Sequence, residues 1–412
     1  MTTHPDFRSP DFLRSHVLDV MSFYGPQSVD PSGGMYHFYL DDGTVYDRTT
    51  RHLVSATRFV ITCATAFELG GKPEYKERAA HALQFLENAF RDAESPGFHW
   101  TLRWDHGQAA PLDRTRHMYG LAFVMLAAAR AQRIGIGGAA ELLQSTYALA
   151  EQQFFDAHAG LYADDASPAG VLSGYRGQNA NMHTCEALIA AFETTREPHY
   201  LARAELLAHN ITVRQAALAD GGVWEHYRAD WSPDWDYNRE DRSNIFRPWG
   251  YQPGHFTEWS KLLCQLDVHM PRPWHIPKAR ELFDRAMHTA WDGVHGGIHY
   301  GFAPDGAICD PAKYHWVQAE SIAAAALLAL RTGDPMYWTW YERIWDYCWQ
   351  HFVDHQQGAW FRILTGENFN LTREKSPAGK VDYHNMGACY DVWRALIGLN
   401  DLVTTPSKQQ SL

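Results

Sequence analysis

Two kinds of helical pattern alternate along this 412-residue chain. Segments such as 74–90 and 277–291 place apolar residues three and four positions apart with charged residues opposite, which is typical of helices on a surface. Segments such as 120–131 and 320–332 are apolar or small nearly all round, which indicates helices buried on several sides. The alternation therefore predicts helix pairs, each with one inner and one outer member.

A short motif punctuates these pairs: a glycine, an aromatic residue shortly after it, and a polar turn. The last glycine before each aromatic residue is Gly34, Gly97, Gly160, Gly222, Gly297 or Gly358. A repeat of roughly 60 residues fits two helices of about 15 residues with their connections. Six such units predict an all-α fold, an (α/α)6 barrel of twelve helices with short β-hairpin-like loops on the active-site face.

The same helix pairs could instead stack as an open solenoid or form two helical domains. An open solenoid needs polar helices capping its ends, and the sequence offers none. We therefore expect one domain over residues 1–412, with about 402–412 as a flexible C-terminal tail. The fourth unit is longer than the others, and its extra segment, 231–253, is predicted to be a lid over the pocket.

The amino-acid composition limits which kinds of molecule the protein is expected to bind. The formal net charge is −12, and no basic run is present, so nucleic acid is not expected to bind. Six cysteines stand singly, which predicts reduced thiols and a cytoplasmic protein. The longest apolar run, Ile322–Leu330, is too short to span a membrane. We expect a monomer or a homodimer.

Polar residues recur near the start of each inner helix, where a closed ring would bring them together on its axis. They are Arg51, His52, Arg58, His117, His183, His255, Glu258, Trp316, Glu320 and His384. Two histidines facing each other across a pocket suit proton transfer at carbon near neutral pH. Glu258, one turn beyond His255, could orient that histidine, and Arg58 could stabilise developing negative charge.

Other site classes fit less well. The spacing of His255 and Glu258 occurs in di-iron proteins, but no H-E-x-x-H motif is present and no spacing demands a metal. We therefore expect no metal and no cofactor. A glycosidase needs two opposed carboxylates, whereas the acidic pairs of this chain are typical of solvated turns.

Five segments, "RHLVSATRF", "YRGQNANMHTCEAL", "PGHFTEWSKLL", "YHWVQAES" and "DYHNMGA", give the chain a resemblance to the N-acylglucosamine 2-epimerase superfamily, especially its branch of aldose–ketose isomerases. The resemblance implies an (α/α)6 barrel that acts on unphosphorylated sugars without a metal or redox cofactor. It implies that His255 and His384 form the acid–base pair. It also implies that Arg58, Asn179, His183, Glu258, Trp316 and Glu320 hold the sugar and help to open its ring, and His117 is a further candidate for sugar contact. Val54 departs from the family pattern, which has an aromatic residue there.

The function expected from this resemblance is isomerisation of D-mannose and D-fructose. The sugar ring opens on the His255 side, His384 removes the proton from C2, and Arg58 and His183 stabilise the resulting enediolate. Return of the proton to C1 gives the ketose, and return to C2 from the opposite face gives a 2-epimerase instead. An (α/α)6 glycoside hydrolase and a non-catalytic sugar-binding protein remain as alternatives of other classes.

Overall fold

The computed structural model describes residues 4–241 and 246–398. Twelve helices frame this part of the chain in two rings. The inner helices are α2 (Leu53–Glu68), α4 (Met118–Arg133), α6 (Gln178–Thr195), α8 (Pro253–His269), α10 (His315–Thr332) and α12 (Tyr383–Leu396). The outer helices are α1 (Pro10–Phe23), α3 (Glu74–Phe85), α5 (Ala139–Gln153), α7 (Pro198–His209), α9 (His275–Ala290) and α11 (Pro335–His351). The predicted tail, about 402–412, lies outside the described residues.

The inner ring is closed. Each inner helix packs against the next one along the chain, and α12 packs against both α10 and α2. The outer helices α3, α5, α7, α9 and α11 each pack against the inner helix that precedes them. The predicted (α/α)6 barrel is confirmed, and the open solenoid is wrong because its first and last inner helices would not touch.

The outer partner of the last inner helix comes from the start of the chain, which the sequence patterns did not predict. Helix α1 packs against α12, and Tyr24, just after α1, donates a hydrogen bond to Asp382 at the head of α12. Ser9 caps α1 by accepting from the backbone N–H of Phe12, and Pro10 begins the helix. The ring therefore closes by joining the two ends of the described chain.

Small residues let the inner helices approach one another. Helix α10 carries four consecutive buried alanines, 323–326, and contacts neighbours on several sides. Gly254 on α8 lies against the indole of Trp316, and a β-carbon at Gly254 would come within 2.4 Å of that ring. A glycine is required there, because any larger side chain would push α8 and α10 apart.

Short antiparallel strand pairs gather at one end of the barrel. The strands are β1 (Phe38–Leu40), β2 (Val45–Asp47), β3 (Thr50–His52), β4 (Thr101–Asp105), β5 (Gln108–Asp113), β6 (Arg116–His117), β7 (Phe155–Asp156), β8 (Leu161–Tyr162), β9 (Asp165–Ala166), β10 (Arg176–Gly177), β11 (His226–Tyr227), β12 (Gly301–Phe302), β13 (Ile308–Asp310), β14 (Lys313–Tyr314), β15 (Ile363–Leu364) and β16 (Glu374–Ser376). They pair as β16–β1–β2, β3–β4–β5, β6–β9, β7–β8, β10–β11, β12–β13 and β14–β15. Strands β3, β6, β10 and β14 run directly into inner helices, and each pairs with a strand from the following unit, so the strand pairs surround the N-terminal ends of that ring.

Buried ion pairs tie the turn after an outer helix to the strand before the next inner helix. Lys313 Nζ lies 2.9 Å from Asp292 Oδ2, and Lys375 Nζ lies 2.6 Å from Asp354 Oδ2. Arg51 pairs with Asp30 in the same way. The sequence carries a signal for this device, because each aspartate stands four or five residues before a marker glycine.

Within residues 4–241 and 246–398, none of the helices combines the length and the apolar character that crossing a membrane requires.

Candidate active site

A cavity of about 490 Å3 opens at the N-terminal ends of the inner helices. Its walls carry most of the residues predicted from the sequence: Arg58, His117, Asn179, His183, His255, Glu258, Trp316 and His384. Further lining residues are His52, Val54, Trp100, Tyr119, Tyr175, Tyr300, His315, Arg362 and Lys380. Residues from all six units meet here, as the closed ring predicts.

The side chains form two layers because equivalent helix positions face the axis. The upper layer holds the second residue of five inner helices: Val54, Tyr119, Asn179, Trp316 and His384. The lower layer, one turn deeper, holds the sixth residue of five inner helices: Arg58, Phe123, His183, Glu258 and Glu320. His255 is the third residue of α8, where Gly254 makes room for Trp316.

His384 is held between an acceptor and a donor. Its Nδ1 lies 2.7 Å from Glu320 Oε1, and its Nε2 lies 3.3 Å from Arg58 Nη2. A carboxylate accepts and a guanidinium donates, so both neighbours are satisfied when Nδ1 carries the proton and Nε2 presents its lone pair. Burial, with the charge of Arg58, lowers the pKa of His384 well below its usual value. The imidazole is therefore neutral at neutral pH, which is the protonation state that a general base requires.

His255 is oriented by a different carboxylate from the one predicted. Its Nδ1 lies 2.9 Å from Glu225 Oε1, while both oxygens of Glu258 are without a hydrogen-bond partner among the described residues. Gln178 Nε2 donates to Glu225 Oε2 at 2.9 Å, and Gln178 Oε1 accepts from Trp259 Nε1 at 2.8 Å, which fixes the amide orientation. The expected pairing of His255 with Glu258 is wrong, because Nδ1 faces Glu225, which directly precedes β11, rather than a residue of its own helix.

Glu258 lies in the floor of the cavity with two other carboxylates nearby. Its oxygen Oε1 is 3.7 Å from His183 Nδ1, and that nitrogen is 3.0 Å from Glu186 Oε2. Burial and the neighbouring Glu320 raise the pKa of Glu258 well above its usual value. Its carboxyl group therefore takes up a proton more readily than an exposed glutamate does, and in the protonated form it can donate a hydrogen bond to a ligand oxygen.

Arg58 is fixed in one position by several contacts. It donates to the backbone oxygen of Gly379 and to the hydroxyl of Tyr119, the latter at 3.2 Å. The guanidinium lies 4.5 Å from the centre of the Phe123 ring and 4.6 Å from that of Tyr383. Such a clamped cation needs little reorganisation when negative charge develops beside it.

Trp316 separates the two histidines. Its ring centre lies 4.9 Å from that of His255 and 5.8 Å from that of His384. An indole face suits the apolar face of a sugar, whose hydroxyl groups lie at the rim. On α6, Asn179 Oδ1 has no partner among the described residues and is available to accept from a hydroxyl group.

His117 lies at the edge of the cavity, beside the long loop of the fourth unit. Its Nδ1 is 2.6 Å from Asp165 Oδ1, and the other oxygen of Asp165 accepts from Arg247. Arg247 also lies 3.9 Å from the ring centre of Tyr175. The described part of the predicted lid therefore borders the cavity and is tied to the second and third units.

Glu320 lies behind the cavity wall rather than among its lining residues. One of its oxygens accepts from His384, and the other lies 2.6 Å from Lys261 Nζ. Carboxylates and histidines in this region, His183, Glu186, Glu258, Glu320 and His384, form two groups whose nitrogen and oxygen atoms lie within 4.8 Å of one another. Lys261 and Arg58 already supply positive charge to these carboxylates. We therefore interpret both groups as acid–base clusters, hydrogen-bonded among the described residues except at Glu258, rather than as metal ligands.

Three functional residues escaped the sequence patterns. Glu225 stands inside the fourth glycine motif, three residues after Gly222, where the motif itself gives no sign of a functional residue. Gln178 begins α6 and Lys261 follows Glu258 by three positions, and both fall within the segments that carry the family resemblance. The sequence patterns identified the helices that carry the histidines. They did not identify these partner residues, because each partner lies on a different element from the histidine that it supports.

The closed ring and the two carboxylate-oriented histidines define an (α/α)6-barrel protein with an acid–base pocket. A model of the N-acylglucosamine 2-epimerase family matches residues 34–388, and the chain belongs to this family.

Individual relatives agree with that membership. A D-mannose isomerase from Marinomonas mediterranea is 50% identical over 96% of this chain and 99% of its own length. The crystal structure of a D-mannose isomerase, also 50% identical, superposes with a TM-score of 0.92 and covers 95% of this chain and 100% of that one. A cellobiose 2-epimerase from Spirochaeta thermophila is 25% identical, with a TM-score of 0.83 over 97% and 99% of the two chains.

Proposed function

We propose that this protein is a sugar isomerase that interconverts unphosphorylated D-mannose and D-fructose. The observation that carries the proposal is the pair of cavity-lining histidines, His255 and His384, each with Nδ1 on a buried carboxylate. The similarity to D-mannose isomerases over nearly the whole chain supports the choice of sugar.

The reaction begins with opening of the sugar ring on the His255 side. His255 gives a proton to the ring oxygen as the bond between C1 and that oxygen breaks, and the same imidazole then takes the proton of the C1 hydroxyl, so that the C1 carbonyl forms and His255 returns to its starting state. Glu258, in its protonated form, donates a hydrogen bond to a sugar oxygen and holds the chain as the ring opens. Trp316 packs against the apolar face of the sugar and Asn179 accepts from a hydroxyl group.

His384 then removes the proton from C2 through Nε2. The electrons of the C2–H bond form the C1–C2 double bond, and those of the carbonyl move to its oxygen, so an enediolate results. Arg58 stabilises this negative charge together with His183. The N-terminal ends of the inner helices add positive potential from their backbone N–H groups. Transfer of the proton from His384 to C1, with proton transfer from the C2 hydroxyl to the C1 oxygen, gives the ketose.

A 2-epimerase is the second candidate, and the position of His255 across Trp316 from His384 favours it. A proton delivered to C2 from the His255 side would invert that carbon and give D-glucose. The cellobiose 2-epimerase that shares this fold is named for an inversion of this kind.

One experiment separates the candidates. The protein is incubated with D-mannose in D2O, and the products are followed by NMR. We expect D-fructose, with deuterium at C1 to the extent that His384 exchanges its proton with solvent. D-glucose with deuterium at C2 would support the epimerase, and the absence of any product or exchange would overturn both.

A further inference from the structure

Lys261 is a buried cation directly behind the catalytic pocket. It lies on α8, one turn deeper than Glu258, and its side chain is almost wholly enclosed. Its Nζ lies 2.6 Å from Glu320 Oε2 and 4.0 Å from Glu186 Oε1. Burial acts to lower the pKa of Lys261, but Glu320 and Glu186 more than offset it and raise that pKa. The ammonium group is therefore charged throughout the neutral range.

Glu320 carries the effect of this charge to the pocket. Its second oxygen, Oε1, accepts from His384 Nδ1 at 2.7 Å. Burial raises the pKa of Glu320, and the Lys261 ammonium works against that rise. Without the ammonium, a carboxylate enclosed this deeply would take up a proton.

The protonation of Glu320 decides which nitrogen of His384 can act as the base. An ionised Glu320 accepts from Nδ1–H, so Nε2 keeps its lone pair for C2 of the sugar. A protonated Glu320 would donate to Nδ1, which would force the proton of the neutral imidazole onto Nε2. That nitrogen could then accept neither a proton nor the hydrogen bond of Arg58, which lies 3.3 Å away.

We propose that Lys261 is a positioning residue for catalysis: it keeps Glu320 ionised and thereby holds His384 in the tautomer that can remove the C2 proton. This inference rests on the proposed isomerase function. The carboxylate beside His255 is held differently from the one beside His384. The second oxygen of Glu225 accepts from the neutral amide of Gln178 rather than from an ammonium group.

The central test is Lys261→Met, which keeps a long side chain and removes the charge. We expect kcat for D-mannose to fall at least ~100-fold, because the reactive tautomer is lost. The KM and the affinity for a hexitol, which has no carbonyl group, should stay within about threefold. Lys261→Arg, which retains the charge, should keep kcat within about tenfold of the unchanged protein.

A second variant series tests whether Lys261 acts through Glu320. Glu320→Gln leaves an amide that cannot ionise. Adding Lys261→Met to Glu320→Gln should therefore change kcat by less than about threefold. If the two residues acted independently, the fold losses in kcat of the two single variants would multiply in the double variant. This comparison remains decisive if Lys261→Met alone fails to fold. Full multiplicative loss in the double variant would overturn the proposal.

The matched control is Gly387→Ala. Gly387 lies on α12 and lines the same small chamber of about 20 Å3 as Lys261 and Glu320, and a β-carbon there meets no atom within 4 Å. The alanine changes volume without changing charge, so kcat should remain that of the unchanged protein. If Gly387→Ala lowers kcat as far as Lys261→Met does, packing rather than charge explains the effect and the proposal is wrong.

A measurement without sugar separates this inference from the proposed function. NMR of the protein labelled with 15N in histidine reports which ring nitrogen of His384 carries the proton, and His384→Asn identifies its signals. We expect Nδ1–H in the unchanged protein and Nε2–H in Lys261→Met. If the tautomer switches but D-mannose is not turned over, the proposed function fails and the inference stands; an unchanged tautomer overturns the inference alone.

Discussion

His255 and His384 face the same cavity with opposite electrostatic surroundings. Each places Nδ1 on a buried carboxylate, Glu225 or Glu320, at 2.9 and 2.7 Å respectively. The carboxylate beside His255 is bound by an amide, whereas the one beside His384 is bound by an ammonium group. Only His384 has a guanidinium against its Nε2.

This difference assigns the two roles in the proposed reaction. Positive charge beside His384 disfavours the imidazolium and keeps the ring neutral, as a base requires. His255 has a carboxylate and a neutral amide at its Nδ1, a setting that suits the proton donor of ring opening. Two histidines with nearly the same hydrogen-bond geometry are thus distinguished by the groups that lie one step behind them.

The largest effects should come from the histidines themselves. His384→Ala and His255→Ala should each lower kcat for D-mannose about 10³-fold, since each loses a general acid or base. D-Glyceraldehyde, which cannot form a sugar ring, distinguishes the two variants. His384→Ala should fail to turn over D-glyceraldehyde, whereas His255→Ala should turn it over at a rate close to that of the unchanged protein. Rates are measured by NMR, with circular dichroism to verify folding. Wild-type kcat in either variant would contradict the assignment.

The next largest effect should follow Glu225→Gln. Loss of one charge-assisted hydrogen bond to His255, worth about 1.5–3 kcal/mol, corresponds to a fall in kcat of about 10- to 100-fold. His384 is untouched by this change, so the rate of C2 deuterium exchange should fall only for sugars that must first open a ring. Equal losses with D-glyceraldehyde and D-mannose would show that Glu225 does not act through ring opening.

A smaller, shared effect is expected at Trp316, which contacts both histidines. Trp316→Leu should raise the KM for D-mannose about 3- to 10-fold through lost stacking and leave kcat less affected. Steady-state kinetics measure both constants. A fall in kcat alone would mean that Trp316 sets the geometry of the histidines rather than holding the sugar.

The smallest expected effect is a change in the pH dependence of kcat. The base form of His384 is neutral, and its lowered pKa means that it takes up a proton only at a pH below the ordinary histidine value of about 6.5. The acid limb of kcat should therefore lie below pH 6.5. A limb at or above 6.5 would contradict a buried, neutral His384.

A control for stability belongs with that pH profile. Burial lowers the pKa of His16 to about 4 and that of His52 to about 3. The unfolded chain binds protons first as the pH falls below about 6.5, so the free energy of unfolding should decrease over the same range. Circular dichroism at each pH separates loss of the base from loss of the fold.

The sequence predicted the ring and most of the pocket because both depend on periodic positions. The segments that form inner helices are apolar on nearly all sides. Polar residues such as Arg58, His183 and Glu258 recur at the same distance from the N-terminal end of successive inner helices. Partners that lie across the ring could not be predicted. Glu225 lies beside His255 because β11, which follows it, pairs with β10 about 50 residues earlier in the chain, and no spacing along the chain encodes that contact.

The outer position of α1 escaped prediction for a related reason. An amphipathic helix signals a surface location, but it does not signal which of six inner helices it will cover. The pairing with α12 becomes visible only in contacts such as that of Tyr24 with Asp382, 358 residues apart.

That pairing also sets the order of events during synthesis. Arg58 emerges from the ribosome early and His384 near the end, and α1 can contact α2 early but packs more extensively against α12, which is made last. The faces of α1 and α2 that pack against α12 must stay uncovered while most of the protein is translated, a long-range closure of the kind that slows folding and invites aggregation. The pocket therefore assembles last, in the same step that shields the first helices from solvent.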